Sequence, residues 1–74
     1  MDEKEREGTL TMGMVIEALP ATLFKVRLED GREIMAHLSG KMRLHRIRVL
    51  VGDRVSVKLD EYGSKTGNRI VKRL

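Results

Sequence analysis

The chain has 74 residues, enough for one domain with a small hydrophobic core. It contains no cysteine, which excludes a disulfide framework and a thiolate metal cluster. Fifteen lysine and arginine residues against eleven acidic residues give a net charge of +4. No apolar run approaches the ~20 residues that span a bilayer. The charged N-terminus lacks the apolar stretch of a signal peptide, so a cytoplasmic location is expected.

The charges are distributed unevenly along the chain. Residues 1–8 carry four acids and two bases, whereas residues 9–74 carry thirteen bases and seven acids. Nine of the fifteen bases are arginine, whose planar guanidinium suits phosphate groups. A basic domain of this size is typical of nucleic-acid binding, and a merely solvated basic surface explains the net charge equally well.

The beginning of the chain differs from the rest. Residues 1–9 are charged and show no apolar periodicity, which predicts a disordered acidic tail. Residues 10–74 read as short strands separated by turn residues and predict a single domain.

An apolar run predicts the first strand at about 12–19, and alternating apolar residues predict the second and third strands at about 23–29 and 33–38. Pro20 ends the first strand because proline cannot donate to a sheet ladder. Asp30-Gly31 predicts a tight turn after the second strand. Gly13 predicts a bulge or bend at a barrel corner.

The pattern changes after the third strand. Residues 39–46 do not alternate, and Ser39 is a suitable N-cap, which predicts a helix of one or two turns. Gly52-Asp53 predicts a turn, and residues 54–59 alternate again with Val55, Val57 and Leu59 inward. Residues 60–68 are rich in turn residues and predict a mobile loop before a last strand at 69–73.

This element order predicts the fold class. Five short strands with one short helix between strands 3 and 4 are typical of an all-β OB-fold barrel, which often binds nucleic acid on one face. A small barrel of the SH3 type is the competing fold. Closing the sheet removes exposed edges, which matters for a chain with so small a core.

Two clusters of basic residues are the candidate binding residues. The first contains Lys41, Arg43, Arg46 and Arg48, in a stretch of nineteen residues without an acid. Closely spaced cations on a helix and its exit suit a phosphate backbone. The second cluster contains Lys65, Arg69, Lys72 and Arg73. The competing interpretations are a solvated loop for the first cluster and a frayed basic tail for the second.

The remaining candidates are few. Phe24 and Tyr62 are the only aromatic residues, too few to stack several bases of a single strand, so the composition favours folded RNA. His45 is a candidate hydrogen-bonding or stacking contact. Met42 is either core packing or an exposed part of the binding surface. The two histidines match no metal-ligand spacing, and no motif indicates an enzyme or a cofactor.

Several segments together resemble bacterial translation initiation factor one. They are residues 19–26 (LPATLFKV), 36–43 (AHLSGKMR), 47–50 (IRVL) and 52–55 (GDRV). The resemblance covers about residues 12–73 without a large gap.

The resemblance implies a single OB-fold domain without enzymatic activity or cofactor, expected to be a monomer in solution. It implies binding to the small ribosomal subunit at the aminoacyl-tRNA site, beside decoding-centre RNA and a small-subunit protein. It also implies that the chain helps to select the initiator tRNA together with the other initiation factors. Carried over by position, the RNA-contacting bases of the family fall on Lys41, Arg43, Arg48, Arg69 and Arg73.

The chain departs from the family pattern at a few positions. Leu44 stands where a base is common, whereas Arg46 and Lys72 stand where aromatic residues are common. The segment before the last strand has Glu61-Tyr62-Gly63 and is about one residue longer. Two other functions remain open: a general RNA chaperone of the cold-shock type, and a protein-interaction barrel whose basic face meets an acidic partner.

Overall fold

Five strands and one short helix form the part of the chain that the computed structural model describes, residues 10–60 and 67–74. In chain order the elements are β1 (Leu10–Leu19), β2 (Leu23–Leu28), β3 (Glu33–Leu38), α1 (Gly40–Leu44), β4 (Arg54–Lys58) and β5 (Arg69–Arg73). The predicted strands and helix are therefore confirmed, with boundaries that shift by one to two residues at β1, β2, β4 and α1.

The strands close into a barrel in the order β1-β2-β3-β5-β4. All neighbours are antiparallel except β3 and β5, which run parallel. Only the first two residues of β5 pair with β3, because β3 ends there. Helix α1 follows β3 directly and contacts β5. The chain thus has the predicted five-stranded barrel with its helix between β3 and β4.

The core consists of the inward residues of all five strands together with one residue from α1 and one from the segment after it. Phe24, Val26 and Leu28 are buried as their alternation predicts, and Val55 and Val57 are buried in the same way on β4. The complete buried apolar cluster is Val15, Phe24, Val26, Leu28, Ala36, Leu38, Met42, Val49, Val55, Val57 and Ile70.

Gly13 does not form the predicted bulge. It pairs in register with Leu28 on β2 and with Val55 on β4. A Cβ atom at Gly13 would lie 2.6 Å from the carbonyl oxygen of Arg27, so this position needs glycine because the strands approach closely. The irregularity of β1 comes further along the strand, where the pairing with β2 shifts between Val15 and Glu17.

Ser39 starts the helix as predicted. Its hydroxyl accepts a hydrogen bond from the backbone N–H of Met42 at 3.2 Å, which satisfies one of the free donors at the helix N-terminus. The backbone N–H of Ser39 donates to the carbonyl of Ile70 at 2.9 Å. The second bond holds the start of α1 against β5, and the buried Met42 places the helix over that end of the barrel.

The loop before β5 is described only at its two ends. Asn68 is buried, and its amide bridges the loop to β3: its oxygen accepts from the backbone N–H of Asp60, and its nitrogen donates to the carbonyl of Met35. The predicted tail at 1–9 and most of the predicted loop, with Tyr62 and Lys65, lie outside the described residues. Within the described ranges, no helix is long and apolar enough to cross a membrane.

Candidate nucleic-acid interface

Helix α1 presents its two cations on either side of one buried residue. Successive helical residues are about 100° apart, so the inward position of Met42 places Lys41 and Arg43 on opposite flanks, and both are exposed. The possibility that Met42 forms part of the binding surface is wrong. Its side chain is 1% exposed and belongs to the core, because it is the residue with which the helix seals the barrel.

The segment after α1 has no regular secondary structure, but its backbone is held in place. Val49 is buried in the core. The backbone N–H of Leu50 donates to Oδ2 of Asp53 at 2.8 Å, and the N–H of Asp53 donates to the carbonyl of Leu50. Arg46 and Arg48 are exposed on this anchored segment, so their backbones are preorganised before any ligand binds.

A groove joins α1 to β5. It has a volume of about 470 Å³ and is lined by Lys41, Ile47, Val71, Lys72 and Arg73. The guanidinium of Arg73 donates a hydrogen bond from Nη1 to the carbonyl of Arg48 at 3.0 Å. Lys72 and Arg73 of the second predicted cluster therefore meet the first cluster here, since this bond connects the end of β5 to the segment that carries Arg48.

Val71 and Ile47 are groove residues that the sequence reasoning did not identify. The pairing of β4 with β5 shifts so that Ser56 faces Lys72 while Val57 faces Ile70, which leaves Val71 as the extra residue of a bulge. The signal was present in the sequence, because two consecutive apolar residues in β5 break the alternation. The bulge brings Val71 and Lys72 together on the outside of the barrel.

The bases around α1 and the end of β5 have no carboxylate partners within the described ranges. We call this group the cationic end of the barrel. Its members are Lys41, Arg43, Arg46, Arg48, Lys72 and Arg73. Positive charges that are close together and lack internal partners repel one another, so a polyanion that neutralises them gains binding energy.

Three other bases have carboxylate partners on the outside of β1, β2 and the β2–β3 turn. We call these three the paired bases. Their ion pairs are Lys25–Glu17 at 3.8 Å, Arg27–Glu33 at 2.8 Å and Arg32–Asp30 at 2.7 Å.

Hydrogen bonds from these bases also shift the titration of two carboxylates. The pKa of Asp30 is lowered chiefly by hydrogen bonds from the backbone and side chain of Arg32. The pKa of Glu33 is lowered chiefly by the hydrogen bond from the Arg27 guanidinium. Both carboxylates therefore stay ionised and keep neutralising their partners to lower pH than an ordinary carboxylate would.

Of the predicted RNA contacts, Arg69 lies away from the groove and His45 lies beside it. Arg69 is exposed at the start of β5, where it pairs in register with His37 of β3 and Lys58 of β4. It is separated from Arg73 by the length of β5, about 13 Å for a regular strand. His45 is exposed and caps the C-terminal end of α1, next to the bases of the exit segment.

Arg54 is a further exposed cation that the sequence reasoning did not select. Its carbonyl accepts a hydrogen bond from the backbone N–H of Leu74 at 2.8 Å, which places it beside the end of β5. Its side chain has no ion pair with the described residues. The alternating pattern of β4 predicted that Arg54 is exposed. Its proximity to Arg73 results from the pairing of β4 with β5 when the barrel closes.

The arrangement suits electrostatic binding of a phosphate backbone. Lysine and arginine heads with hydrogen-bond donors surround an open groove, and the backbone beneath them is fixed by the core. In residues 10–60 and 67–74, no three histidine or acidic residues are grouped so that they could hold a metal ion.

The fold and this surface define a small OB-fold barrel with a basic end. Residues 1–74 match the family model described as translation initiation factor 1A / IF-1. The chain belongs to this family, as the resemblance of its sequence motifs implied.

Two solved structures are similar to the chain. The first is the solution structure of translation initiation factor one from the Wolbachia endosymbiont strain TRS of Brugia malayi, with 40% sequence identity and a TM-score of 0.77 over 99% of this chain and 85% of that chain. The second is the crystal structure of YjeQ from Thermotoga maritima, with 33% identity and a TM-score of 0.71 over 89% of this chain and 23% of that chain. The chain thus spans less than a quarter of the YjeQ structure.

Proposed function

We propose that this chain binds the small ribosomal subunit at the aminoacyl-tRNA site during initiation, through contacts between the cationic end and ribosomal RNA. It acts there beside a decoding-site ribosomal protein and helps to select the initiator tRNA with the other initiation factors. The role is one of binding, in the cytoplasm, without catalysis and without a cofactor. The family membership supports the process, and the six bases without carboxylate partners among the described residues support the mode of binding.

The physical mechanism is occupancy combined with a shift of RNA conformation. The cations bind phosphates of a folded RNA groove and release condensed counterions. A barrel in the aminoacyl-tRNA site excludes a tRNA sterically. If the bases bind one local RNA conformation more tightly than another, the bound conformation becomes the more populated one.

A competition experiment tests this proposal. Purified small subunits are sedimented with the labelled chain, first alone and then with tRNA bound in the aminoacyl-tRNA site. We expect the chain to co-sediment with free subunits and to be displaced as that site fills. Co-sedimentation that does not respond to tRNA would contradict the proposed location, and an absence of co-sedimentation would contradict the proposed partner.

The two other functions predict different results. A general RNA chaperone of the cold-shock type would bind unstructured oligonucleotides tightly, but Phe24 is buried and is the only aromatic residue that the described part of the chain contains. A protein-interaction barrel would bind small subunits equally well after loss of Arg43 and Arg48. Binding of a labelled unstructured oligonucleotide therefore tests the first alternative, and sedimentation of the Arg43→Ala/Arg48→Ala variant with small subunits tests the second.

A further inference from the structure

The outer face of β1 carries a row of apolar side chains. Leu10, Met12 and Met14 occupy alternate positions and are 64%, 37% and 45% exposed, and Ile16 continues the row half-buried. We call these four residues the apolar stripe. The outward positions of β4, which pairs with β1, are instead polar: Arg54, Ser56 and Lys58. Contiguous exposed apolar side chains mark an interaction surface, whereas single ones do not.

Two adjacent hollows follow the apolar stripe along the barrel. The first has a volume of about 330 Å³ and lies beside Leu10 and Met12. The second has a volume of about 370 Å³ and lies beside Met14 and Ile16. The flexible thioether side chains of the two methionines can adjust to whatever fills these hollows. The stripe therefore offers a partner two places into which apolar side chains fit.

Glu29 determines which kind of partner the hollows suit. It lines both of them, and its backbone N–H donates to the carbonyl of Met12 at 3.3 Å. It is exposed, it has no ion pair with residues in the described ranges, and it is the only charged residue of the first hollow. A phosphate backbone on the stripe would place its charges against this carboxylate, whereas a lysine or arginine of a protein would neutralise it.

Two other occupants fit the apolar stripe poorly. Residues 1–9, which precede it in the chain, contain one apolar residue, Met1, and four acids that Glu29 would repel. A second copy of the chain carries the same charge of +4. Three partly exposed side chains also fall well short of the roughly 800 Å² that each partner buries in a stable complex of two folded proteins. A single segment of another protein needs less area.

We propose that the apolar stripe docks an amphipathic helix of a protein partner, whose apolar side chains fill the two hollows and whose lysine or arginine pairs with Glu29. Residues four apart in a helix are separated by about 6 Å along its axis, close to the roughly 7 Å between alternate residues of β1. Arg54 pairs in register with Met14 and lies beside the end of β5, so the stripe adjoins the basic surface without overlapping the groove. This inference goes beyond the proposed function, since the helix binds without a small subunit.

Methyl NMR of the methionines tests the inference with a model peptide. The probe is a synthetic helical peptide with leucines at positions i, i+4 and i+7 and lysines beside them, and its match has glutamate in place of each lysine. We expect the methyl signals of Met12 and Met14 to shift saturably with the lysine peptide, while that of the buried Met42 stays unchanged. The lysine peptide should bind about fivefold more tightly than its match, although the net charge of the chain favours the reverse.

Substitutions identify the contacts. Met12→Gln/Met14→Gln should bind the lysine peptide about tenfold more weakly, because apolar area is no longer buried, and should keep its affinity for small subunits. Glu29→Gln should abolish the preference for lysine over glutamate. Glu17→Gln removes the same charge outside the hollows and should retain that preference. Equal peptide binding by the methionine variant, or a preference that survives in Glu29→Gln, would overturn the inference.

Three results with the unsubstituted chain would also overturn it. They are methionine signals that do not respond to the lysine peptide, signals of Met12 and Met14 that shift with an RNA oligonucleotide, and signals that shift with the concentration of the chain alone. The last two would assign the stripe to RNA or to a second copy. The proposed function is tested separately, because peptide binding in a chain that fails to bind small subunits would leave this inference standing.

Discussion

Two groups of bases on the same small barrel differ in their surroundings. The paired bases Lys25, Arg27 and Arg32 each lie within 4 Å of a carboxylate on β1, β3 or the β2–β3 turn. The six bases of the cationic end have no carboxylate partner in the described ranges, and three of them, Lys41, Lys72 and Arg73, line a groove without an acid. Both groups contribute equally per residue to the net charge of the chain.

The difference shows why net charge does not locate a binding surface. A base that already has a carboxylate partner gains less from a phosphate, because the neighbouring negative charge offsets the attraction of the base and repels the phosphate. A base without a partner gives its full interaction to the ligand. The pairing of each base therefore indicates the interface better than the number of bases on a face.

The largest effect that we expect comes from removing three charges at once from either group. The triple variant Lys41→Ala/Arg48→Ala/Lys72→Ala should bind small subunits at least about 10²-fold more weakly, because three phosphate contacts are lost. The matched variant Lys25→Ala/Arg27→Ala/Arg32→Ala removes the same charge and should bind within about threefold of the unsubstituted chain. If filter binding showed that both triple variants lose the same affinity for small subunits, only the net charge of the chain would matter.

A smaller effect is expected from Arg73→Lys, which keeps the charge but loses the guanidinium geometry. The hydrogen bond from Arg73 to the carbonyl of Arg48 ties the exit segment to β5. A hydrogen bond of this kind contributes about 1 kcal/mol, so the loosened segment should weaken subunit binding by about fivefold. Arg32→Lys is the control and should leave binding unchanged. Full affinity in Arg73→Lys would mean that the exit segment is fixed without this bond.

Arg54 tests whether barrel closure extends the interface beyond the two predicted clusters. Arg54→Ala should weaken binding by about threefold, the size of a peripheral electrostatic contribution. Arg27→Ala removes a base that has a carboxylate partner and serves as the control. Binding of Arg54→Ala that matches the control would confine the interface to α1, its exit and β5.

The smallest effect concerns the pH dependence of stability near the paired bases. Because the folded-state pKa values of Asp30 and Glu33 are lowered, their ion pairs stabilise the fold above the ordinary values of 3.8 and 4.5. This contribution disappears as the pH falls through the lower folded-state values. The double variant Asp30→Asn/Glu33→Gln should therefore melt slightly below the unsubstituted chain at pH 7 and equally at about pH 2. If the difference in melting temperature between the two chains persisted in acid, it would arise from packing and not from the ion pairs.

Much of the fold followed from local patterns in the sequence. The alternation of Phe24, Val26 and Leu28 indicated the inward face of β2, and Ser39 marked the start of α1. The basic residues around α1 were also visible, because no acid separates them. These features depend on neighbours in the chain, which is why they can be predicted without coordinates.

The remaining features depend on partners that are distant in the chain. The close approach of Gly13 to β2 arises from strand pairing, and the burial of Met42 arises from the helix closing the barrel. The bulge at Val71 and the proximity of Arg54 to the end of β5 depend on the register between β4 and β5. The ion pairs of the paired bases likewise form across strands or a turn. Each of these requires tertiary structure that the sequence pattern does not contain.

The salt dependence of binding to purified small subunits is the most direct test of the central claim. If about five phosphates are neutralised by the cationic end, the affinity of the unsubstituted chain should fall by roughly 10²-fold between about 50 and 200 mM salt. The triple variant Lys41→Ala/Arg48→Ala/Lys72→Ala should show a clearly shallower decline. An affinity that stays constant over this range would contradict phosphate docking as the basis of binding.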